Sequence, residues 1–260
     1  MNRNKLIRII TVILIVINVF VFVLPSHAAH DLHWFLKRRP GSAPLFPDEA
    51  DEIEKYSAYY IDKTADENRK VIYITFDAGY ENGNIEKILD ILKDESVPAA
   101  FFLLDNIILK NTELVKRMAE EGHLVCNHTK CHRNLSRASE EEIKEDLLAL
   151  ESIYKEQTGK EMAKYFRFPE GTYSIKALKS IQSLGYKTVF WSFAYDDWDN
   201  HRQLHPKKAI KKILDNTHNG AVMLFHPTSD TNAEIFRDLI KAWREMGYSF
   251  GTLDELTQFN

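Results

Sequence analysis

From residue 71 onward, short apolar runs alternate with stretches of helical periodicity, and this alternation limits the possible folds most. The first run, Val71 to Phe76, is β-branched and aromatic, as expected of a buried strand. Further runs of the same kind occur at 99–104, 123–127, 165–168, 188–191, 221–225 and 248–252. Strands that alternate with helices form parallel sheets, and this length favours closure into a (β/α) barrel. No Gly-x-Gly-x-x-Gly follows the first run, which disfavours an open dinucleotide-binding sheet.

Composition narrows the class of protein further. The 260 residues include 38 acidic and 34 basic side chains, for a formal net charge of −4, and 44% are hydrophobic. Such a composition excludes disordered chains, fibrous repeats and multi-span membrane proteins. The acidic balance predicts no binding to nucleic acid, because sequence-independent binding needs a basic surface.

The N-terminus has the pattern of an export signal. Three basic residues precede residues 9–24, which carry no charge, and Ser26-His27-Ala28 supplies small residues for cleavage. We predict a signal peptide over residues 1–28, with a retained N-terminal anchor as the alternative. Both interpretations place the rest of the chain outside the cytoplasm, and the anchor would tether it to the membrane.

The remaining chain divides near residue 70. Turn signals interrupt residues 29–70, which we interpret as an N-terminal extension that packs on the main domain. Residues 71–260 then form the catalytic domain. Cys126 and Cys131 are predicted to be buried, reduced thiols, because a domain of this size needs no disulfide.

Polar residues occur where the predicted strands end. Asp77, His128, Arg167, Asp197 and His226 each stand at or just beyond a different strand. The carboxyl ends of parallel barrel strands open on one face, where catalysis takes place. We therefore expect these five side chains to converge on one site.

Two of the histidines have a spacing suited to a metal. His128 and His132 are four residues apart, so one helical turn would place both on the same side. Imidazole pairs of this kind bind borderline cations such as zinc. The alternative is two surface histidines at the start of a helix.

Five motifs follow one another in an order that resembles a known family. They are Thr75-Phe76-Asp77-Ala78-Gly79, His128-Thr129-x-x-His132, Arg167-x-Pro169-x-Gly171, Asp197-Trp198 and Leu224-Phe225-His226. The order is that of the polysaccharide deacetylases, the NodB-like carbohydrate esterases of family 4. The string from Phe76 to Gly83 and the segment from His33 to Tyr56 are most similar to the delta-lactam-biosynthetic de-N-acetylases of spore-cortex peptidoglycan.

The resemblance implies a deformed (β/α) barrel of about seven parallel strands that hydrolyses an N-acetyl amide. Asp77 would be the general base, Arg167 would orient it and keep it ionised, and His226 would protonate the departing amine. The chemistry supports these roles, because amide hydrolysis needs a strong nucleophile, a stabilised oxyanion and a proton for the amine, which a Lewis acid, a carboxylate base and an imidazole acid supply.

The resemblance also assigns a substrate slot. Trp198 and Leu224 would form the wall against the acetyl methyl, and the backbone N–H of Glu170 would help bind the oxyanion. The residues expected to contact the substrate are Tyr80, Glu81, Asn82, Pro169, Glu170, Asp197, Trp198 and Leu224. The turn-forming Asn82-Gly83 sequence allows the alternative that residues 80–83 are structural.

Two positions depart from the family pattern. Ala78 stands where most members carry a carboxylate metal ligand, so the divalent metal held by His128 and His132, zinc by preference, would bind weakly or be absent. Ala194 stands where other members carry an acid that tunes the catalytic histidine. Asp196 or Asp197 could replace that acid.

The function implied is de-N-acetylation of N-acetylmuramic acid in peptidoglycan glycan strands, a step toward muramic delta-lactam in the spore cortex. In a spore former, the location would be the space between the forespore membranes. One alternative is a deacetylase of N-acetylglucosamine in peptidoglycan or chitin-like glycans. Another is a barrel that binds wall glycan without catalysis.

Overall fold

Twelve strands, most of them short, occur in the part of the chain that the structure describes. This computed structural model describes residues 31–259; the predicted signal peptide at 1–28 lies outside these residues. In chain order the strands are β1 (Leu32–His33), β2 (Lys37–Arg39), β3 (Ser42–Leu45), β4 (Ala58–Tyr59), β5 (Val71–Ala78), β6 (Ala100–Leu103), β7 (Leu124–Asn127), β8 (Ala163–Phe166), β9 (Thr172–Tyr173), β10 (Lys187–Val189), β11 (Ala221–Phe225) and β12 (Ser249–Gly251).

Helices connect the strands of the main sheet and cover its outer face. They are α1 (Ala50–Ile53), α2 (Asn84–Asp94), α3 (Asp105–Lys110), α4 (Thr112–Glu120), α5 (Glu140–Thr158), α6 (Ile175–Ser183), α7 (Pro206–Asp215), α8 (Asp230–Glu245) and α9 (Leu253–Phe259). Short 3₁₀ turns occur at Glu54–Tyr56 and Pro169–Gly171. Within residues 31–259, no helix is long and apolar enough to cross a membrane.

The main sheet is parallel and curls into a deformed barrel, as predicted. Its order is β11-β5-β6-β7-β8-β10-β4, and β12 also pairs with β5. Beyond β10, Phe193 forms a parallel bridge with Met223, and the Leu224 N–H donates to the Phe193 carbonyl at 2.8 Å. All seven predicted strands are present. The sequence patterns did not predict the two-residue strand β4 of the extension.

The alternation of side chains between the two faces of β5 places Asp77 inside the mouth of the barrel. Side chains alternate along a strand, so Ile74 and Phe76 face the helices, whereas Tyr73 faces the barrel interior. Both faces are covered and all eight residues of β5 are buried. Thr75 and Asp77 lie on the Tyr73 side, so the strand carries Asp77 to the carboxyl end of the interior.

The N-terminal extension packs on the barrel. β1 pairs antiparallel with β9, and the Trp34 N–H donates to the Gly171 carbonyl at 2.8 Å. The Trp34 ring is buried and stacks on Phe190 with centroids 4.7 Å apart. The domain boundary near residue 70 stays a prediction.

The two cysteines are both free, but they differ in exposure. Cys126 is buried, as predicted. The prediction that Cys131 is buried was wrong: it is exposed, because it lies in the loop beyond β7 and not in the strand.

Candidate active site

A buried guanidinium holds the carboxylate at the end of β5. The Arg167 side chain is fully buried and donates from Nη1 to Oδ1 of Asp77 at 2.8 Å. Its Nη2 donates to Oγ1 of Thr75 at 2.9 Å, and its Nε donates to the Val189 carbonyl at 2.9 Å. These contacts fix the plane of the guanidinium, so it can orient Asp77.

The same contact controls the charge of Asp77. Burial alone would raise the pKa of this carboxyl, but the Arg167 charge and the nearby His128 and His226 lower it below its ordinary value. Asp77 is therefore ionised at neutral pH. An ionised carboxylate that lines a cavity can accept a proton from water.

His128 presents an unprotonated nitrogen to the site. Its Nδ1 lies 2.9 Å from the Arg167 carbonyl, which can only accept, so Nδ1 carries the proton. Its Nε2 faces Oδ2 of Asp77 at 3.5 Å. Burial lowers the pKa of His128 to about 4, despite the opposing effect of Asp77. The ring is therefore neutral, and its Nε2 lone pair is free to bind a cation.

His132 faces the same site from a loop, not from the predicted helical turn. The two rings have centroids 5.1 Å apart at 72°. Residues 128–132 are not helical, and both Thr129 (φ 72°) and His132 (φ 60°) have left-handed backbone conformations. The expected proximity of the rings is confirmed, but the helix-start geometry used to predict it was wrong.

Hydrogen bonds hold this loop in its unusual conformation. The Thr129 N–H donates to Oδ1 of Asn127 at 2.9 Å, and the Arg133 N–H donates to Oγ1 of Thr129 at 3.1 Å. The Lys130 N–H donates to Oδ1 of Asp146 at 2.8 Å. These bonds offset the backbone strain of left-handed residues other than glycine.

The donor set offered to a metal consists of two imidazoles. Among residues 31–259, no group of three or more His, Cys, Asp or Glu side chains is arranged to hold an ion. Ala78 is 2% exposed and packs in the outer core with Phe76. Two imidazoles suit a borderline divalent cation, but catalytic zinc usually has three protein ligands.

A second buried carboxylate supports His226. The His226 Nδ1 lies 2.7 Å from Oδ1 of Asp197, and the His226 backbone N–H donates to Oδ2 of Asp197 at 2.8 Å. Asn232 Nδ2 donates to the same Oδ2 at 2.6 Å. Burial alone would lower the pKa of His226, but the Asp197 charge and hydrogen bond outweigh it and raise the pKa. The imidazole therefore favours its protonated form.

Asp197 has a different position from the one predicted. We expected it to contact substrate, but its side chain is 1% exposed and lies behind His226, away from the cavity wall. It is the acid that supports His226, one of the two alternatives left open by the sequence. The other alternative, Asp196, lines the cavity and is exposed.

These groups meet at one cavity of about 710 Å³. Eight residues predicted for the site line it: Asp77, Tyr80, His128, His132, Glu170, Trp198, Leu224 and His226. Six lining residues were not predicted: Leu36, Arg38, Trp191, Ala194, Tyr195 and Asp196. Leu36 and Arg38 come from the N-terminal extension, where the run Lys37-Arg38-Arg39 was the signal that could have identified them.

The predicted substrate-binding residues on the cavity wall differ in exposure. Tyr80 and Trp198 are 49% and 59% exposed, which leaves both rings accessible to a ligand. Leu224 is almost fully buried at the cavity base. Glu170 has a left-handed backbone conformation (φ 57°) directly after the buried Pro169, where the chain turns sharply.

Glu81 and Asn82 were predicted to contact substrate, but their side chains stabilise the loop before α2. The Glu81 carboxylate accepts the backbone N–H groups of Gly83 and Ile85. The Asn82 amide donates to the Thr228 carbonyl at 2.8 Å. Neither residue lines the cavity, nor does Pro169. The structural alternative is therefore the one observed for Glu81 and Asn82, whereas Tyr80 lines the cavity.

The polysaccharide deacetylase family profile matches residues 64–189. The peptidoglycan N-acetylmuramic acid deacetylase PdaA of Bacillus subtilis is 38% identical over 230 residues, covering 86% of this chain and 85% of that protein. An uncharacterised 30.6 kDa protein of Geobacillus stearothermophilus is also 38% identical, covering 87% and 85% of the two chains.

Solved structures show the same similarity. The structure of Bacillus subtilis PdaA, a family 4 carbohydrate esterase, has a TM-score of 0.82 at 35% identity, covering 88% of this chain and 97% of that one. A family 4 carbohydrate esterase from Bacillus anthracis has a TM-score of 0.70 at 33% identity, covering 87% and 100%.

Proposed function

This chain belongs to the polysaccharide deacetylase family, and from that premise we propose that it hydrolyses the N-acetyl amide of N-acetylmuramic acid in peptidoglycan. The observation that carries the proposal is one cavity lined by a carboxylate that Arg167 keeps ionised and by an imidazole whose pKa the buried Asp197 raises. A protein that only binds glycan needs neither. The substrate is supported by the similarity to a muramic acid deacetylase over most of both chains.

Asp77 acts as the general base. Its carboxylate takes a proton from a water molecule as the water oxygen attacks the acetyl carbonyl carbon. Arg167 holds the carboxylate in place through Oδ1 at 2.8 Å and keeps it ionised until that transfer. The remaining oxygen, Oδ2, faces His128 and the cavity.

His226 acts as the general acid. Its protonated ring gives a proton to the amide nitrogen as the C–N bond breaks, which releases acetate and leaves an amine on the sugar. The Asp197 carboxylate, 2.7 Å from Nδ1, stabilises the imidazolium and holds the ring toward the cavity. This pairing makes Asp197 a positioning residue for the acid.

The acetyl group is held by the remaining wall of the cavity. Trp198 and Leu224 enclose the methyl, and Tyr80, which also lines the cavity, contacts the sugar. The backbone N–H of Glu170 binds the oxyanion that forms on the carbonyl oxygen. Small apolar walls of this kind favour acetyl over longer acyl groups.

His128 and His132 are the residues that would hold a divalent metal, with zinc the ion that best suits two imidazoles. When bound, the ion supplies a Lewis acid to the acetyl carbonyl. Ala78 provides no donor atom, so we expect weak and readily exchanged binding.

The reaction takes place outside the cytoplasm, where peptidoglycan glycan strands lie. Export would depend on the predicted signal peptide at 1–28 or on its retention as a membrane anchor. In a spore former, the product is the precursor of muramic delta-lactam in the cortex, made between the forespore membranes. The net charge of −4 supports a substrate other than nucleic acid.

Mass spectrometry of peptidoglycan fragments tests this function. Purified protein is incubated with muramic-acid-containing glycan, with and without stem peptides, alongside the Asp77→Asn variant as a matched control. We expect wild-type protein to remove acetyl from muramic residues and the variant to remove almost none. Loss of acetyl from glucosamine residues alone would support the N-acetylglucosamine alternative, and no loss from either sugar would support a binding protein.

A further inference from the structure

Arg38 introduces a positive charge into the active-site cavity from outside the barrel. It lies at the centre of β2 in the N-terminal extension, is exposed, and lines the cavity with Asp77 and His226. Among the described residues that line this cavity, it is the sole lysine or arginine. None of the five motifs of the family includes it.

The guanidinium is positioned but not neutralised. Its Nη2 donates to the Ala194 carbonyl at 2.7 Å, which ties it to the loop that carries Asp197 and Trp198. Glu170 and Asp196 line the same cavity, yet no carboxylate within residues 31–259 forms an ion pair with Arg38. Arginine has five N–H donors, so most of this group remains available to a ligand.

The backbone that carries Arg38 is fixed to the barrel. Trp34 is anchored by its N–H to the Gly171 carbonyl at 2.8 Å and by Nε1 to the Trp191 carbonyl at 2.8 Å. Beyond Arg38, the Arg39 side chain donates to the Ala43 carbonyl within the β2–β3 hairpin. Arg38 is thus held at the cavity rim by contacts on both sides of it.

We propose that Arg38 binds the carboxylate of the lactyl group on the substrate sugar. This assignment rests on the proposed function, since N-acetylmuramic acid differs from N-acetylglucosamine by a lactyl ether on O3. On a muramic residue that carries no stem peptide, that ether ends in a carboxylate, the group that a guanidinium binds best through paired, charge-assisted hydrogen bonds. The acidic Glu170 and Asp196 disfavour an anion elsewhere on the wall, so Arg38 sets where the carboxylate lies.

The neighbouring residues provide matched controls. Lys37 and Arg39 lie on the same strand and are exposed, but neither lines the cavity, because side chains alternate along a strand. Lys37→Ala removes one positive charge from β2, as Arg38→Ala does, without removing a cavity contact. A loss seen only with Arg38→Ala therefore reports the contact and not the overall charge.

The experiment compares two glycans that differ only at the lactyl group. One has the carboxylate intact, and in the other it is chemically reduced to an alcohol. Acetate release gives kcat/KM on each glycan for wild-type protein, Arg38→Ala, Arg38→Lys and Lys37→Ala. The ratio of the two values is the readout, because partial misfolding lowers both values equally.

We expect wild-type protein to prefer the intact glycan by about 10- to 100-fold, the range of a charge-assisted contact at a partly exposed site. Arg38→Ala should lose this preference, mainly through KM, Arg38→Lys should keep part of it, and Lys37→Ala should keep all of it. Added salt should weaken the wild-type preference.

Two results separate failure of this assignment from failure of the function. If Arg38→Ala keeps the wild-type ratio, or if wild-type protein shows no preference, Arg38 does not bind the lactyl carboxylate, although deacetylation of muramic residues stands. If wild-type protein releases no acetate from muramic residues of either glycan, the proposed function fails and this assignment fails with it.

Discussion

The Nδ1 of His226 lies 2.7 Å from Oδ1 of Asp197, a carboxylate that is 1% exposed. The same carboxylate accepts the backbone N–H of His226, so one acidic side chain sets both the position and the charge of the ring. Asp197 lies three residues beyond Ala194 in the same loop. This loop therefore supplies the acid that supports His226.

Asp197→Asn should shift the pH dependence of activity. The general acid must be protonated, so activity falls as pH rises through the pKa of His226. Because Asp197 raises that pKa, its removal should move the falling limb of the kcat/KM profile to lower pH. Asp196→Asn, a nearby exposed change, is the control. A falling limb that does not move would mean that His226 is not the acid.

Asp77→Asn should remove the base while retaining the shape of the side chain. We expect kcat for acetate release to fall by about two to four orders of magnitude, the usual contribution of a general base. KM should change much less, because the amide still fills the same space. Asp196→Asn controls for loss of a charge from the cavity wall. An unchanged kcat would exclude Asp77 from proton transfer.

Arg167 should matter for stability as well as for catalysis. It is 0% exposed, and Arg167→Met would leave Asp77 buried without its counter-charge. We expect a loss of about 3–5 kcal/mol in the free energy of unfolding, measured by denaturant titration. The double variant Asp77→Asn/Arg167→Met should recover part of this loss, because no unpaired charge remains. Additive losses would show that the two residues are not coupled.

His123 should make the protein less stable in mild acid. It is buried, neither ring nitrogen has a hydrogen-bond partner among residues 31–259, and burial lowers its pKa from 6.5 to about 4. The folded state therefore binds this proton less readily than the unfolded chain. Its contribution to stability is complete above pH 6.5 and is lost as pH falls toward 4, by about 3 kcal/mol.

The His123→Leu variant isolates this effect. Denaturant unfolding at pH 7 and pH 5 should show a smaller loss of stability in the variant than in the wild type. His201→Leu, an exposed change, should show the wild-type loss. His128 also has a pKa of about 4, so only the difference between proteins assigns the effect. Equal losses in all three proteins would exclude His123 as the cause.

Zinc binding should depend on both imidazoles. Titration calorimetry should detect weak binding to the wild-type protein that is lost in His132→Ala, because one imidazole alone is a poor site. His201→Ala should bind like the wild type. Binding that persists in His132→Ala would place the ion elsewhere.

The sequence predicted the barrel strands and the polar residues at their ends, because both follow from patterns over a few neighbouring residues. Strand periodicity located all seven predicted barrel strands, and their polar ends identified Asp77, Arg167 and His226. It predicted neither β4 nor the position of Arg38 in the cavity, because both depend on where the extension packs. A two-residue strand has too few residues to show a period.

The substrate-binding residues were predicted less well, for a physical reason. Strand-end position indicates that a side chain is near the site, but not whether its polar atoms bind ligand or protein. Asp197 bonds to His226, and Glu81 bonds to the backbone at the start of α2. Only the tertiary structure shows that these hydrogen bonds occupy both carboxylates.

The loop that carries His128 and His132 has a consequence for how an ion would enter and leave. Its backbone is held by hydrogen bonds from the Thr129 N–H to Asn127 and from the Lys130 N–H to Asp146, both within the polypeptide. The pair of imidazoles, His128 and His132, is therefore positioned when the chain folds. Binding of a cation then requires little further ordering of the chain. A preformed site with only two protein ligands can exchange its ion between turnovers. Activity would therefore follow the free metal concentration of the surroundings.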